Sequence, residues 1–381
     1  MELAKYKLGD IVTLLNGRAY LMPELQDSGK YRILRVGNLS GGNDSWYYSD
    51  MELDENKYCE NGDLLYAWAC NFGPHIWREE KVIYHYHIWK LVENKEKVDR
   101  TYLYYYLLHQ TPFYLGGVNG ATMVHITKKN MEKKTVYIPS SLNVQHRIAS
   151  ILSTYDSLIE NNTKRIRLLE KMAENLYKEW FVRFRYPGHE NVEMENGLPK
   201  GWTVEKVKDW CRVFTGRKDV NQTVEGGKYA FFSCSPNMFH SDEYIYDGKA
   251  VLIAGNGSYT GRTRYFEGKF DLYQRTYAVV SDRPDDDFMF YLFLRFKYDF
   301  EPLHNGGTRG SAIPYIVMKD ITKYKFLYDT DIVKCYTERV KPMFDEIDNL
   351  QHQNSLLARQ RDLLLPRLMS GKLEVKEELL E

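Results

Sequence analysis

The residues best suited to ligand chemistry lie in a glycine-rich stretch, residues 254–264, which combines an amide, hydroxyl groups and guanidinium groups. Glycine lets a ligand approach the backbone closely, and amides and hydroxyls hydrogen-bond to phosphates or base edges. Arginine can bind guanine through two parallel hydrogen bonds. The stretch therefore predicts nucleic-acid contacts by Asn256, Ser258, Tyr259, Arg262 and Arg264. The alternative is a glycine-rich hairpin of a β-rich domain without a ligand.

The same features recur in the first half of the chain. Residues 67–75 correspond to 254–264, residues 116–122 correspond to 305–311, and Gly17-Arg18 corresponds to Gly216-Arg217. A duplicated unit whose loops have diverged indicates two copies of one reader, each reading a different object along a common ligand. The further predicted contacts are Arg18, Asn71, His75, Asn119 and Thr122 in the first half, and Arg217 and Arg309 in the second.

Sequence motifs for catalysis are missing. No Asn/Asp-Pro-Pro-aromatic segment of an amino-methyltransferase occurs, and no phosphate-binding P-loop is present. Glu79-Glu80-Lys81, with Asp63 upstream, has a nuclease-like form that often arises by chance. His85 and His87 could form a metal pair on one strand face, but no third ligand follows at a recognisable spacing. We therefore predict no catalytic residue and no metal site.

Composition restricts the class of protein. The 52 Lys and Arg residues balance 52 Asp and Glu, so any DNA-binding face must come from local patches. Five scattered cysteines without a C-x-x-C pair fit a reducing cytosol. Neither a signal peptide nor a membrane-spanning apolar run is visible, so we expect a cytoplasmic protein without a membrane partner. The 31 tyrosines suit binding surfaces, since each combines a flat ring with one polar group.

Hydrophobic periodicity divides the chain into two α/β segments, each followed by a long helix with heptad spacing. The predicted organisation is a first α/β domain over residues 1–142, a central long helix over 143–185, a linker over 186–201, a second α/β domain over 202–330, a C-terminal long helix over 331–373 and a tail over 374–381. Residues 81–92 are predicted to form one strand. Pro342 should kink the second long helix or lie in its first turn.

Two seams of matching length predict that the long helices pair with each other, and an antiparallel pair is one arrangement that they allow. Each seam has one asparagine near its middle, Asn162 and Asn354. If these two meet, Ile159 lies opposite Leu357 and the other apolar positions fall into register. A buried asparagine in an apolar seam fixes register at some cost in stability. The alternative is that both asparagines are solvated at the edge of the seam.

Several segments, in this order, resemble the specificity subunit of a Type I restriction–modification system over essentially the whole chain. They are residues 145–152 entering the first long helix, 176–181 leaving it, the linker 197–202 and the ending 364–373. One departure is the start of the second long helix, where Tyr328-Asp329-Thr330-Asp331 replaces the usual paired prolines and Gln-Arg. That departure leaves the start of this helix open.

The resemblance implies a sequence-specific DNA-binding subunit that reads a bipartite, asymmetric double-stranded DNA target. It implies that residues 1–142 and 202–330 are two pseudo-repeated α/β target-recognition domains, separated by the two long helices, which form an antiparallel coiled coil. It implies neither catalytic activity nor a cofactor in this chain. Two modification subunits would supply adenine-N6 methylation with S-adenosylmethionine. Restriction subunits would supply ATP- and Mg-dependent translocation and cleavage.

Two other functions stay open at this point. The chain could be a fused methyltransferase or nuclease whose motifs have drifted, which binding of S-adenosylmethionine to the chain alone would reveal. It could also be a structural coiled-coil adaptor without DNA contact. Filter binding at two salt concentrations distinguishes the adaptor, because phosphate contacts make DNA affinity steeply salt-dependent.

Overall fold

The computed structural model describes residues 2–39, 45–70, 72–115, 126–281, 283, 286–304 and 315–375. Contacts divide the chain into two compact units, Met1–Asn162 with His352–Glu381, and Thr163–Gln351. Both units mix helices with sheets, and each includes a part of both long helices. None of the helices in the described part of the chain is long and apolar enough to cross a membrane.

The described residues of the first unit form ten strands in three sheets. They are β1 (Leu3–Lys7), β2 (Val12–Asn16), β3 (Tyr31–Leu34), β4 (Tyr47–Ser49), β5 (Tyr58–Cys59), β6 (Leu64–Ala67), β7 (Gly73–Ile76), β8 (Val82–Tyr84), β9 (Ile88–Glu93) and β10 (Thr135–Pro139). The strand orders are β1-β10, β2-β9-β6-β7 and β4-β3-β8-β5. Only β3 and β8 run parallel among these described pairs.

In the described part of this unit, the sheets are accompanied by the α-helices α1 (Val36–Leu39), α2 (Arg100–Leu115) and α3 (Lys128–Glu132). Helix α2 buries Tyr102, Leu103 and Leu107 in the main core of the unit, together with the sheet residues Leu64 and Leu91. Apolar burial of this extent is the principal force that holds a helix against a sheet.

The first long helix, α4 (Leu142–Tyr177), continues in a π-helical turn over Lys178–Val182. The hydroxyl of Ser141 accepts a hydrogen bond from the backbone N–H of Val144 at 3.5 Å, which caps the first turn. The helix and its π turn lie within the predicted range 143–185, apart from Leu142.

The second unit has strands β11 (Met194–Glu195), β12 (Leu198–Pro199), β13 (Thr203–Lys206), β14 (Arg212–Thr215), β15 (Tyr229–Phe232), β16 (Met238–Ser241), β17 (Tyr246–Ala254), β18 (Thr263–Leu272), β19 (Thr276–Val280) and β20 (Lys325–Tyr328). Six of them form one sheet in the order β14-β19-β17-β18-β15-β16. The helices are α5 (Val207–Trp210), α6 (Asp286–Arg295) with a π turn over Phe296–Phe300, α7 (Glu301–His304) and α8 (Met318–Thr322).

The second long helix, α9 (Thr330–Met369), runs without interruption through Pro342. The prediction that Pro342 lies in the first turn is therefore wrong. In the first unit, Arg361 bonds to Asp156 at 2.5 Å, and the amide of Asn162 donates to Gln353 at 3.4 Å. As α4 advances, its partners on α9 have falling numbers, which is the antiparallel arrangement that the resemblance implied.

In the second unit, Arg165 bonds to Glu346 at 2.6 Å, and the Tyr336 hydroxyl donates to the Ala173 carbonyl at 3.4 Å. These pairs again run antiparallel. The pairs in the first unit agree, to within about one residue, with the register that the Asn162–Asn354 pairing predicts, whereas these two pairs depart from it by more than one helical turn. Asn162 is 7% exposed and Asn354 is half-buried. The role of the two asparagines in setting register stays a prediction.

The single strand predicted over residues 81–92 is wrong. Strand β8 ends at Tyr84, β9 begins at Ile88, and residues 85–87 form a turn closed by a hydrogen bond from the Ile88 N–H to the His85 carbonyl at 3.0 Å. The alternation of residue types continues through the turn, so no period change marks it.

Candidate nucleic-acid interface

In the second unit, five segments meet where β14, β15, β17 and β18 end. We call this set the second reading edge, and it comprises Arg217-Lys218, residues 232–236, the loop 255–261, the turn 273–275 and Tyr315. Backbone hydrogen bonds join its parts. The N–H of Gly255 donates to the carbonyl of Arg275 at 2.9 Å, and the N–H of Ile316 donates to the carbonyl of Gly255 at 2.9 Å.

The turn 273–275 is the centre of this edge. Its Tyr273 N–H donates to the Phe232 carbonyl at 3.0 Å, and its Gln274 N–H donates to the Lys218 carbonyl at 3.0 Å. Main-chain groups thus hold the turn against two other segments. Backbone bonds of this kind do not depend on which side chains the segments carry.

The first unit has the same frame at its own edge. We call it the first reading edge, and it comprises Gly17-Arg18, Leu34-Arg35, residues 68–70 and the turn 85–87. His85 N–H donates to the Leu34 carbonyl at 2.9 Å, Tyr86 N–H to the Arg18 carbonyl at 3.0 Å, and Trp68 N–H to the His87 carbonyl at 3.1 Å. Each bond has its counterpart in the second unit, which confirms that 67–75 and 254–264 are equivalent.

Gly17 and Gly216 fit this frame because neither position has room for a side chain. A Cβ on Gly17 would lie 2.3 Å from the His85 carbonyl oxygen, and one on Gly216 would lie 1.8 Å from the Leu272 carbonyl oxygen. Both oxygens are backbone atoms that cannot move aside. The shared glycine is therefore a packing requirement of the frame.

After these glycines, the segment that leads to the turn is one residue longer in the second half than in the first. Arg18 forms a bridge with His85 in the first unit, whereas Lys218 forms the matching bridge with Tyr273 in the second. The counterpart of Arg18 is thus Lys218, and Arg217 is an additional, exposed residue. The sequence comparison paired Arg18 with Arg217.

Arg18 and Lys218, which occupy equivalent positions at the two edges, are neutralised by carboxylates of the protein itself. The Arg18 guanidinium donates twice to the Glu24 carboxylate, at 2.7 and 3.0 Å, and this bonding raises the pKa of Arg18 and lowers that of Glu24. The Lys218 ammonium lies 2.7 Å from Asp271 and 2.9 Å from Glu243, and the bond to Asp271 raises its pKa. Arg217, by contrast, has no hydrogen-bond or ion-pair partner among the described residues.

Two polar side chains of the loop 255–261 face solvent. Ser258 is exposed and Tyr259 is 46% exposed. The Arg262 guanidinium lies 5.5 Å from the centroid of the Tyr259 ring, a cation–π distance that limits its orientations. The amide oxygen of Asn256 lies 3.2 Å from the Cys234 sulfur, so this side chain is held by the neighbouring segment.

Arg264 and His75 occupy equivalent strand positions, opposite Leu252 on β17 and Leu65 on β6. Arg264 donates to the Pro236 carbonyl at 2.6 Å and lies 5.0 Å from the Phe232 ring. Burial lowers the pKa of Arg264, with a smaller contribution from Arg262, and burial also lowers the pKa of His75. Both side chains are half-buried at their reading edges and project little into solvent.

The first reading edge is aromatic where the second is cationic. Trp68 and His87 meet with ring centroids 5.0 Å apart, and the Trp68 indole N–H donates to the Tyr86 carbonyl at 2.8 Å. Tyr86 is 38% exposed. His85 lies 4.8 Å from His87, and burial, then His87 and Arg35, lowers its pKa to about 4. His85 is thus neutral near pH 7.

Four predicted contacts, Asn71, Asn119, Thr122 and Arg309, lie outside the described residues. The turns 85–87 and 273–275 were not among the predicted contacts, because they contain neither glycine nor proline. In the described part of the chain, no group of three or more His, Cys, Asp or Glu residues is placed to hold a metal ion.

Comparison with known proteins identifies the family. The sequence pattern of the Type I restriction modification DNA specificity domain matches residues 2–171 and again 199–327. The two matches cover most of the chain and fall on its two halves. The chain therefore belongs to the Type I restriction–modification DNA specificity family, and its function is that of a DNA specificity subunit.

Two relatives within this family match over most of their length. The MjaIX specificity subunit of Methanocaldococcus jannaschii is 28% identical over 310 residues, 74% of this chain and 71% of the relative. The MjaVIII specificity subunit of the same organism is 24% identical over 97% of this chain and 92% of the relative. The crystal structure of the S subunit from M. genitalium covers 97% of this chain and 96% of its own, with a TM-score of 0.67 and 17% identity, and so has the same fold.

Proposed function

We propose that this specificity subunit reads a bipartite, asymmetric double-stranded DNA target, with one short half-site at each reading edge. The observation that carries the proposal is the shared frame of backbone hydrogen bonds at the two edges, which present different side chains. Two readers with one geometry and unlike chemistry fit a target whose halves differ in sequence. With both edges on one side of the duplex, the half-sites lie about one helical turn apart, roughly 10 bp between centres.

Domain replacement tests this proposal. Residues 1–139 are exchanged for the equivalent segment of another family member, and the methylated sites in a host genome are sequenced before and after the exchange. We expect one half-site to change while the other half-site and the spacer persist. A simultaneous change in both half-sites would mean that the halves do not read independently.

The contacts proposed at the second edge are Arg217, Asn256, Ser258, Tyr259 and Arg262. Arg262 has the strongest support, because the Tyr259 ring orients its guanidinium while no described residue accepts its hydrogen bonds. Arg262→Ala should weaken binding to the target by about 1–3 kcal/mol and relax one base position, if the side chain reads a guanine. A uniform loss on all sequences would assign Arg262 to a phosphate instead.

In this proposal the chain is the non-catalytic, cofactor-free member of an assembly. It holds two modification subunits, which transfer a methyl group from S-adenosylmethionine to adenine N6, and restriction subunits, which use ATP and Mg²⁺ to translocate and cleave DNA. A labelled methyl-transfer assay with and without the modification subunits tests this division. Methylation or cleavage by the chain alone would favour the alternative of a drifted methyltransferase or nuclease.

A further inference from the structure

The turn 273–275 carries two side chains that no motif identified and that face solvent. Gln274 and Arg275 are both exposed, while the backbone of the turn is bonded to Lys218, Phe232 and Gly255. A turn held by its main chain at three points leaves its side chains available without loss of structure. Such a turn offers a rigid base for side chains that read a ligand.

The chemistry of the two side chains is that of base recognition. Glutamine can bind adenine through two hydrogen bonds, and arginine can bind guanine in the same way. The Gln274 amide nitrogen lies 3.3 Å from the Asp219 carboxylate, which orients the amide and leaves its oxygen and second N–H available. The Arg275 guanidinium has no hydrogen-bond or ion-pair partner among the described residues.

The position of the turn places it between the other reading segments. The Arg275 carbonyl accepts the hydrogen bond that begins the loop 255–261, and it also lies 3.3 Å from the Cys234 sulfur. Gln274 follows directly from the bridge between Lys218 and Tyr273. A duplex that contacts both Arg217 and the loop 255–261 therefore passes over the turn.

The first unit uses the same position for different chemistry. Tyr86 occupies the place of Gln274, and His87 that of Arg275, as their matching backbone bonds to Arg18 and Trp68 show. An identical backbone with Tyr-His in one copy and Gln-Arg in the other is what two readers of different half-sites require.

From these observations we infer that Gln274 and Arg275 are specificity-determining residues, which read an adenine and a neighbouring guanine in the second half-site. This inference rests on the proposed DNA-reading function and names the residues that carry it out. Tyr86 and His87 occupy the equivalent place for the first half-site.

The test uses the full chain assembled with its modification subunits. Arg275→Ala, Arg275→Lys and Gln274→Ala are compared with the parent by sequencing methylated sites and by binding to the target and to single-base variants. Lys228→Ala is the matched control, since Lys228 is exposed and precedes β15, whereas the reading edge lies at the other end of that strand. The denaturation midpoint of each variant is measured as well, to verify that the turn remains folded.

We expect Arg275→Ala to bind the target about 10- to 100-fold more weakly and to accept other bases at one position of the second half-site only. Arg275→Lys should lose the same discrimination, because an ammonium cannot form the two parallel bonds. Gln274→Ala should relax a neighbouring position, and Lys228→Ala should behave as the parent.

Two results overturn the inference. One is a loss that is equal on all DNA sequences and restored by Arg275→Lys, which assigns Arg275 to a phosphate. The other is unchanged discrimination in both alanine variants. In either case the parent still methylates a bipartite target, so the proposed function stands. If the parent assembly itself selects no bipartite target, the proposed function fails independently of these variants.

Discussion

The two units differ most in how their sheets continue past the shared frame. In the second unit, β17 and β18 are single strands of nine and ten residues in one six-stranded sheet. In the first unit, the matching path is broken into β5 with β6 and β7 with β8, and the strands form two four-stranded sheets. The breaks fall away from the reading edge, where the backbone bonds of the two units correspond.

The comparison indicates which parts of a duplicated reader can change. Backbone hydrogen bonds hold the frame, and they tolerate any side chain that the local conformation accepts. The edge of the first unit has therefore become aromatic, with Trp68, Tyr86 and His87, while that of the second unit has Gln274 and Arg275. Gly17, Gly216 and Gly255 are the exceptions, since a side chain at any of them would collide with a carbonyl oxygen.

The largest losses of stability should come from substitution of Gly17 and Gly216, the glycines that the two frames share. Gly216→Ala places a methyl group 1.8 Å from the Leu272 carbonyl oxygen, and Gly17→Ala places one 2.3 Å from that of His85. We expect each to lower the free energy of unfolding by about 4 kcal/mol or more, with the larger loss at Gly216. Urea denaturation measures the change. Gly62→Ala is the control, because its positive φ costs about 1–2 kcal/mol and no atom lies within 4 Å. An equal loss at Gly62 and Gly216 would contradict the conclusion that the packing of the frame requires glycine at position 216.

The next prediction ranks three ion pairs of the two units by how deeply they are buried. Arg295 is 8% exposed and lies 2.8 Å from Asp299, which also accepts a hydrogen bond from Tyr177 at 2.6 Å. Arg295→Met should cost about 3 kcal/mol, since it leaves a carboxylate with reduced compensation. Arg361→Met, in the more exposed pair with Asp156, should cost less. Arg165→Met removes an exposed pair and should cost under about 0.5 kcal/mol. Three equal losses in thermal unfolding would contradict this order.

A pH dependence should be specific to the first reading edge. The pKa of His85 is about 4 in the folded chain, below the ordinary value near 6.5, so the unfolded chain takes up a proton first as pH falls. Stability is complete above about pH 6.5 and declines towards pH 4, by roughly 1–2 kcal/mol from this group after solvent screening. His85→Tyr, which introduces the residue of the second edge, should reduce the decline. Part of the decline that remains in this variant should come from His75, because burial also lowers the pKa of this residue. An unchanged melting-temperature profile in the variant would refute this assignment.

The smallest effect concerns the long helices. Replacing Asn162 and Asn354 by leucine should raise stability by about 1 kcal/mol, since a buried amide gives way to an apolar side chain. If the two set register, the preference for one spacer length between half-sites should loosen. Asn161→Leu, at an exposed neighbouring position, is the control and should leave spacer preference unchanged. A stabilised double variant with an equally sharp spacer preference would assign the spacing to the globular units.

Much of the organisation could be predicted from the chain alone. Heptad spacing locates α4 and α9 because a seam repeats over many turns, and the equivalence of 67–75 with 254–264 follows from matching glycines and flanking motifs. The breaks between β5 and β6 and between β7 and β8, and the turn between β8 and β9, could not be predicted in the same way. The turn at His85 contains no residue that favours turns, and contacts with Arg18, Leu34 and Trp68 hold it in place.

The sequence by itself determined that the protein has two related readers, two long helices and glycine-rich loops, since repeats and periodicity are properties of the linear chain. Only the tertiary structure decided which of its cations remain available for DNA. Lys218 is neutralised by Asp271, a residue far along the chain, whereas Arg275 lies on a turn that three separate segments hold at the surface. Such pairings depend on how distant segments meet, and no local pattern of residues records them.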